Sequence, residues 1–317
     1  MAYPGLEQIL DAAARISPYT HRTPVLTCRT LDAMCGARLF FKCENMQKVG
    51  AFKARGATNA VFSLTDREAE PGVATHSSGN HAAALALAAR ERGIRAHVVM
   101  PENAPAIKQR AVAGYGAEIV PCRPTLAARE EVLAGVIART GATVIHPYND
   151  YRIIAGQGTA ALELCQAVND LDVVMAPVGG GGLLSGTALA VRGVSPRTRV
   201  LGAEPEMADD ALRSLQAGRI IPSSYPDTVA DGLRTSLGEL TFPIIQQHVD
   251  AIVTAAEADI ISAMRTIWER MKLVVEPSAA VPLAAILSGR ASLAGMRVGI
   301  ILSGGNADLD SLPWRQK

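Results

Sequence analysis

The sequence predicts an α/β protein with two open, twisted, mostly parallel sheets and helices on both faces of each. Apolar runs alternate with helical patterns, the alternation falls into two series, and 317 residues exceed one ordinary domain of about 100–200. In the first series, 73–75 reads as a strand and 80–90 as an alanine-rich helix. Strand 96–100, helix 104–113, strand 118–121, helix 126–139 and strand 142–146 follow. The second series runs strand 173–178, helix 182–191 and strand 200–203, then an irregular stretch, 222–231. Helices near 257–271 and 277–287 lead to a last strand, 298–302. The strand-like segment 38–42 belongs to neither series and is expected to join the second sheet. These assignments divide the chain into a large domain, 1–69 with 148–317, and a small mobile domain, 70–147. Ligands of such sheets bind beyond the carboxyl ends of the strands and in clefts between domains.

Composition excludes several classes. Hydrophobic residues make up 49% and charged residues 19%, which rules out a disordered or fibrous chain. The balance of 31 Lys+Arg against 30 Asp+Glu removes the electrostatic case for nucleic acid or an anionic membrane as partner. An aromatic content of 4% disfavours stacking platforms for single strands. Cys28, Cys35, Cys43, Cys122 and Cys165 are scattered with no C-x-x-C, which fits a reducing compartment better than a disulfide framework or a zinc site. Met1-Ala2-Tyr3-Pro4 begins neither the basic segment nor the apolar core of a signal peptide. The uncharged stretch 173–191 is long enough to raise a membrane span, but Pro177 and five glycines read instead as a buried strand, loop and helix. A cytoplasmic location is expected.

Four features fall at strand ends or loops. The first is Val178-Gly179-Gly180-Gly181-Gly182-Leu183, between a strand and a helix. Successive glycines let backbone N–H groups converge, and the helix N-terminus suits a phosphate. A tight turn would explain fewer glycines than four, because each adds backbone entropy to the unfolded chain. A dinucleotide is the rival ligand, since Glu204 ends the next strand. The G-x-G-x-x-G spacing fails, however: its last position is Ser185 counted from Gly180 and Leu184 counted from Gly179. No G-x-x-x-x-G-K-[ST] is present, which leaves a small phosphorylated cofactor.

The second feature is Gly50-Ala51-Phe52-Lys53-Ala54-Arg55-Gly56-Ala57, where Lys53 alone reads as an ordinary helix lysine. The third is Thr75-His76-Ser77-Ser78-Gly79-Asn80-His81, whose small polar residues and N–H groups suit a carboxylate, although His81 alone reads as structural. The fourth is Leu302-Ser303-Gly304-Gly305-Asn306, after the last strand.

Together, and in their order along the chain, the four resemble the pyridoxal-phosphate enzymes of the serine racemase and serine/threonine dehydratase family. That family has the tryptophan synthase β-like fold, also called fold type II. The resemblance implies that Lys53 forms the Schiff base with pyridoxal 5'-phosphate and that Gly179, Gly180, Gly181, Gly182 and Leu183 hold its phosphate. It implies that Asn80 bonds the ring hydroxyl, Phe52 packs beside the ring, Glu276 lies near the ring edge and Ser303 faces the pyridine nitrogen. Ser77, Ser78, Asn80 and His81 would receive the substrate carboxylate. The ring accepts electrons released at Cα, and Lys53 takes the proton. A serine at the ring nitrogen leaves that nitrogen largely unprotonated, a milder electron sink that favours prompt β-elimination.

The branch within the family follows from further positions. By resemblance Ser78 matches the opposite-face acid/base of serine racemases; it serves equally as a carboxylate ligand. Glu204-Pro205-Glu206-Met207-Ala208-Asp209-Asp210 resembles their divalent-cation site, with Glu204 and Asp210 carboxylates and the Ala208 carbonyl as ligands. Oxygen-only ligands suit Mg2+, or Ca2+ or Mn2+; read without the resemblance, the cluster is a solvated acidic turn. Arg129 matches an arginine near the far end of the substrate, where a guanidinium would bind a second carboxylate; it also reads as a surface arginine beside Glu130 and Glu131. Thr235 falls where the racemases carry a substrate-side serine.

There are departures too. Ala51 replaces a common serine, Ala82-Ala83 replace the Gly-Gln of animal racemases, which speaks against ATP activation, and Val275-Glu276-Pro277-Ser278-Ala279-Ala280 differs slightly from the usual pattern. No further domain follows Lys317, so isoleucine feedback is not expected. The reading is an ammonia-lyase that dehydrates a β-hydroxy-α-amino acid: 3-hydroxyaspartate, serine or threonine. A serine or aspartate racemase using Lys53 and Ser78 is the alternative. An idle amino-acid sensor and a nucleotide oxidoreductase fit the residues less well. A homodimer is implied by the resemblance.

Overall fold

The computed structural model describes residues 3–77, 79–104, 106–224 and 226–315. Its strands are β1 (Val25–Leu26), β2 (Arg38–Cys43), β3 (Val73–His76), β4 (Ala96–Pro101), β5 (Glu118–Cys122), β6 (Thr143–Val144), β7 (Val173–Pro177), β8 (Arg199–Pro205), β9 (Ala251–Ala255) and β10 (Arg297–Leu302). They form a six-stranded sheet in the order β1-β2-β10-β7-β8-β9 and a four-stranded sheet in the order β5-β4-β3-β6. Every pairing is parallel except β1 with β2 at the edge. Two mostly parallel sheets with helices on both faces are therefore present, as the alternation predicts. Strand β2 lies along β10, from Arg38 beside Arg297 to Cys43 beside Leu302, so segment 38–42 does join the larger sheet.

Several elements exceed the sequence reading. Helices Leu6–Ile16, Tyr151–Ala167 and Thr241–His248 and strand β9 lie outside the sequence assignment, although Leu6–Ile16 is amphipathic, burying Ile9, Ala12 and Ile16 on one face. Strand β6 is shorter than 142–146 because the chain leaves the sheet early. The Ile145 carbonyl faces His81 Nε2 at 3.2 Å, and His146 Nδ1 accepts the N–H groups of Tyr148 and Asn149. Among the described residues no helix is long and apolar enough to cross a membrane. The uncharged stretch resolves into β7, the glycine turn and helix Gly182–Val194.

Helix Tyr151–Ala167 packs closely against helices Gly182–Val194 and Lys53–Phe62. Glycines permit both crossings. A Cβ on Gly186 would sit 2.4 Å from Ile154 O and 2.6 Å from Gly158 N; one on Gly156 would sit 2.7 Å from the Gly56 Cα. Replacing Gly186 by Ala should force these backbones apart and destabilise the protein by about 1–3 kcal/mol, as overpacking does. The measurement is chemical denaturation, where a lower midpoint at unchanged slope is expected.

Candidate active site

All strands of a parallel sheet end on the same side, and the predicted residues gather at those ends. Residue 51 bridges antiparallel to Gly304, and the Phe52 N–H donates to the Ser303 carbonyl at 3.0 Å. The loop before helix Lys53–Phe62 is thus stitched to the end of β10, which puts Lys53 and the buried Ser303 on adjoining segments. Lys53 Nζ donates to the Pro147 carbonyl at 2.8 Å and lies 5.2 Å from the centre of the Phe52 ring. Burial disfavours its charge and pulls its pKa down to about 8, against the pull of Glu276 in the other direction.

The glycine tetrad follows β7. Gly181 takes φ +88°, a left-handed conformation natural to glycine. A Cβ on Gly180 would lie 2.4 Å from the Tyr148 ring, and one on Gly179 would lie 2.9 Å from Leu233 Cα and 3.3 Å from Thr235 Oγ1. Close packing thus requires glycine at these positions, independently of any ligand. It also places the exposed Thr235 beside the loop. No side chain caps helix Gly182–Val194, so its first-turn N–H groups and positive end suit an anion; Leu183 is buried in that turn.

Asn80 opens helix Asn80–Arg92 and joins the two sheets. Its amide donates to both Glu276 oxygens, at 3.0 and 3.1 Å, and accepts from Asn306 Nδ2 at 2.9 Å. Burial pushes the Glu276 carboxyl up to about 7, opposed by the Asn80 hydrogen bond. A cleft of about 550 Å3 opens beside this pair, and Lys108 bridges to Asp231 at 2.5 Å on its lining. Ser77 is half-buried and accepts the Gly79 N–H at 3.4 Å. Ser78 lies outside the described residues.

The His81 side chain is structural, as the residue reads when taken alone. Its ring is buried and serves a carbonyl through Nε2, which must therefore carry the proton. Burial holds its pKa well below the usual value, so Nδ1 offers a lone pair and the ring has no proton for a carboxylate. Only the backbone N–H of His81 is left for that task.

The sequence reading missed one neighbour of Lys53. His146, just past β6, is held neutral by burial, its pKa pulled down to about 4. Its ring stands 6.0 Å from His76, whose pKa burial and Arg129 also lower, and 4.6 Å from Tyr148. A strand-end position was the available signal. Arg129, from helix Leu126–Thr140, is half-buried beside His76. Among the described residues its Nε is buried without a hydrogen-bond partner.

Glu204 ends its run in β8, buried, and accepts the N–H groups of Ala211 at 3.2 Å and Leu212 at 2.7 Å. Asp210 is also buried, and its Oδ2 has no partner among the described residues. Burial, aided by Asp210, pushes the Glu204 carboxyl up to about 8, and burial pushes Asp210 up to about 6. Two crowded carboxylates and an unpartnered oxygen fit a hard cation. Among the described residues no group of three or more His, Cys, Asp or Glu side chains is placed to hold a metal ion, so the Ala208 carbonyl and water would have to complete such a site. For pyridoxal phosphate the uncapped helix, the side-chain-free loop and the desolvated lysine are likewise a fitting set.

Comparison with known proteins agrees with this arrangement. The family described as pyridoxal-phosphate dependent enzyme matches residues 16–304. The chain is 54% identical to the β-hydroxyaspartate dehydratase of Paracoccus denitrificans, covering 99% of this chain and 100% of that one. It is 50% identical to a serine racemase of Arabidopsis thaliana, covering 96% and 93%. The crystal structure of Dictyostelium discoideum serine racemase superposes with a TM-score of 0.93 at 48% identity, covering 97% of this chain and 100% of that chain. With the lysine, the glycine loop and the two sheets in this order, the chain belongs to the family of pyridoxal-phosphate dependent enzymes.

Proposed function

We propose that this enzyme is an ammonia-lyase that removes water from 3-hydroxyaspartate, giving an oxo acid and ammonia. The observation that carries the substrate choice is Arg129, a half-buried guanidinium beside His76 whose Nε has no partner among the described residues. A second substrate carboxylate would satisfy it. The 54% identity to a β-hydroxyaspartate dehydratase supports the same reading.

Pyridoxal phosphate, when bound, supplies a carbonyl carbon and a ring that accepts electrons from Cα. Gly179 to Gly182 and Leu183 hold its phosphate by backbone N–H groups, while Phe52, Asn80, Glu276 and Ser303 fix its ring. Lys53, desolvated and directed by the Pro147 carbonyl, takes the Cα proton as an uncharged amine. Ser77, Ser78 and the N–H groups at Asn80 and His81 hold the α-carboxylate, and Thr235 lies on the substrate side of the loop. The β-hydroxyl leaves as water with the proton that Lys53 has taken, and the resulting enamine tautomerises and is hydrolysed by water to the oxo acid and ammonia. The segment 70–147 acts as a mobile lobe closing on 1–69 with 148–317, in a homodimer. Five cysteines with no disulfide favour a cytoplasmic location. Glu204, Ala208 and Asp210 would hold Mg2+, or Ca2+ or Mn2+, which neutralises the two carboxylates. Racemisation through Lys53 and Ser78 is the second reading, favoured by the 50% identity to a serine racemase.

A panel of 3-hydroxyaspartate isomers, L-serine, D-serine and L-threonine tests the proposal by following oxo acid and enantiomer together. Oxo acid from a 3-hydroxyaspartate isomer should dominate; faster appearance of the opposite enantiomer would hand the assignment to the racemase. In Arg129→Met, kcat/KM for 3-hydroxyaspartate should fall about 10–100-fold, the equivalent of one charge-assisted bond, while serine is little affected. Equal loss on both substrates would refute the role of Arg129.

Adding Mg2+ to chelator-treated protein should raise its melting temperature, and Glu204→Gln should abolish the increment. The lysine pKa predicts a third result. With a pKa of about 8, roughly a tenth of Lys53 is uncharged at pH 7, against a negligible fraction for an ordinary lysine. Uptake of pyridoxal phosphate by cofactor-free protein, followed by absorbance, should therefore rise with pH, be half complete near 8 and flatten about one unit above that. A rise continuing to about 10 would contradict the desolvated lysine.

A further inference from the structure

Beneath helix Lys53–Phe62 lies a closed group of charges that the chemistry above does not use. Arg55 is fully buried. Its Nε donates to Glu44 Oε2 at 2.7 Å and its Nη2 to Glu44 Oε1 at 2.8 Å. Its Nη1 and Nη2 also donate to the two oxygens of Glu163, at 2.8 and 2.9 Å. Thr159 Oγ1, Thr23 Oγ1 and the His21 carbonyl complete the shell, at 3.2, 3.4 and 3.3 Å. Lys42 reaches Glu163 at 2.5 Å and the Thr23 carbonyl at 2.7 Å, so two cations face two carboxylates.

We propose that Arg55 is a positioning residue that locks the rotation of helix Lys53–Phe62 and so sets where the Lys53 amine stands. The proposal rests on Lys53 being the cofactor lysine. Lys53 and Arg55 share the first turn but project roughly 200° apart, at about 3.6 residues per turn. The guanidinium is therefore gripped on the core side while the amine extends to the Pro147 carbonyl. The helix crosses helix Tyr151–Ala167 at Gly56 and Gly156, where backbones nearly touch; Gln157 and Asn59 add hydrogen bonds there, but Arg55 is the charged contact that ties the first turn to it. Nor does the helix itself call for a cation there: a positive charge in the first turn opposes the helix dipole. The planar fork draws its acceptors from three separate segments, the chain at 21–23, the turn Glu44–Met46 after β2 and helix Tyr151–Ala167. A lysine could not bridge both carboxylates in this way.

The test compares wild-type holoenzyme with Arg55→Met, Arg55→Lys, Glu163→Gln and a stability control, Ile267→Val, a core truncation in helix Glu257–Met271. Three quantities are read: kcat and KM, the rate at which bound cofactor is lost on dilution, and the melting temperature. We expect Arg55→Met to lower kcat about tenfold or more with little change in KM and to speed cofactor loss comparably, since small misplacements of a reacting group have effects of that size. Arg55→Lys and Glu163→Gln should fall between it and wild type. The control should lower the melting temperature and leave the other two readings alone.

Folded Arg55→Lys and Glu163→Gln variants with kcat and cofactor loss both within about twofold of wild type would overturn the proposal. Should the Arg55 variants not fold, Glu163→Gln and Thr159→Val carry the same two outcomes, because both retain the Glu44 fork. Borohydride reduction and peptide mapping separate the premises. No label on Lys53 in wild type sinks the lysine assignment; label on Lys53 with unchanged variants sinks the role of Arg55 alone.

Discussion

Arg55, Lys42, Glu44 and Glu163 form the constraint on which the placement of the site depends. Taking four charges out of water is costly, and such a group is tolerated only when every donor finds an acceptor. Here the charges cancel and the guanidinium is matched on both sides. Losing any one partner would strand a buried charge, so the segments that supply them are held to one arrangement. Those segments are β2, the turn after it, the start of helix Lys53–Phe62 and the middle of helix Tyr151–Ala167. Two of them also shape the catalytic side: β2 runs beside β10, which ends at Ser303, and the long helix packs against the one that begins at the glycine loop.

On the cleft side the same desolvation acts on single groups. Lys53 is pulled down to about 8 and His146 to about 4, while Glu276 is pushed up to about 7. Each of these shifts favours the uncharged form, as burial dictates. An uncharged lysine is a nucleophile and a base; uncharged imidazoles offer hydrogen bonds without repelling a nearby guanidinium. The site is therefore poised for proton movement near neutrality rather than for binding by charge alone.

Much of this was legible in the sequence, for reasons that can be named. Strands β3 to β5 and β10 are short apolar runs between turn residues, and tetrad, lysine and serine loops sit at strand ends where polar glycine-rich segments stand out. Helix Tyr151–Ala167 was not read, because it is apolar on most of its faces and carries Gly156 and Gly158, which lower helix propensity yet are needed at its crossings. Strand β9, only Ala251–Ala255, merges into the helix after it. Arg55 stood inside a quoted motif without a role, since its partner Glu163 is 108 residues away and no local spacing points to it. The ring of His81 reads as structural taken alone, and it is: its carbonyl partner, Ile145, comes from a different strand end, which no local spacing shows.

The two arginines show how the same side chain is put to opposite uses. Arg55 has its donors met on all sides and gains nothing from a ligand, so its worth lies in the geometry it imposes. Arg129 carries a buried Nε with no partner among the described residues, beside His76, whose lowered pKa keeps it from adding charge. An unmet charged donor raises the energy of the empty protein, and a ligand carboxylate that meets it recovers that energy on binding. The difference in satisfaction, rather than residue type or spacing, separates an arginine that builds the site from one that reads the substrate. It also accounts for why a substrate with a second carboxylate would be favoured over serine: only such a substrate brings the missing acceptor with it.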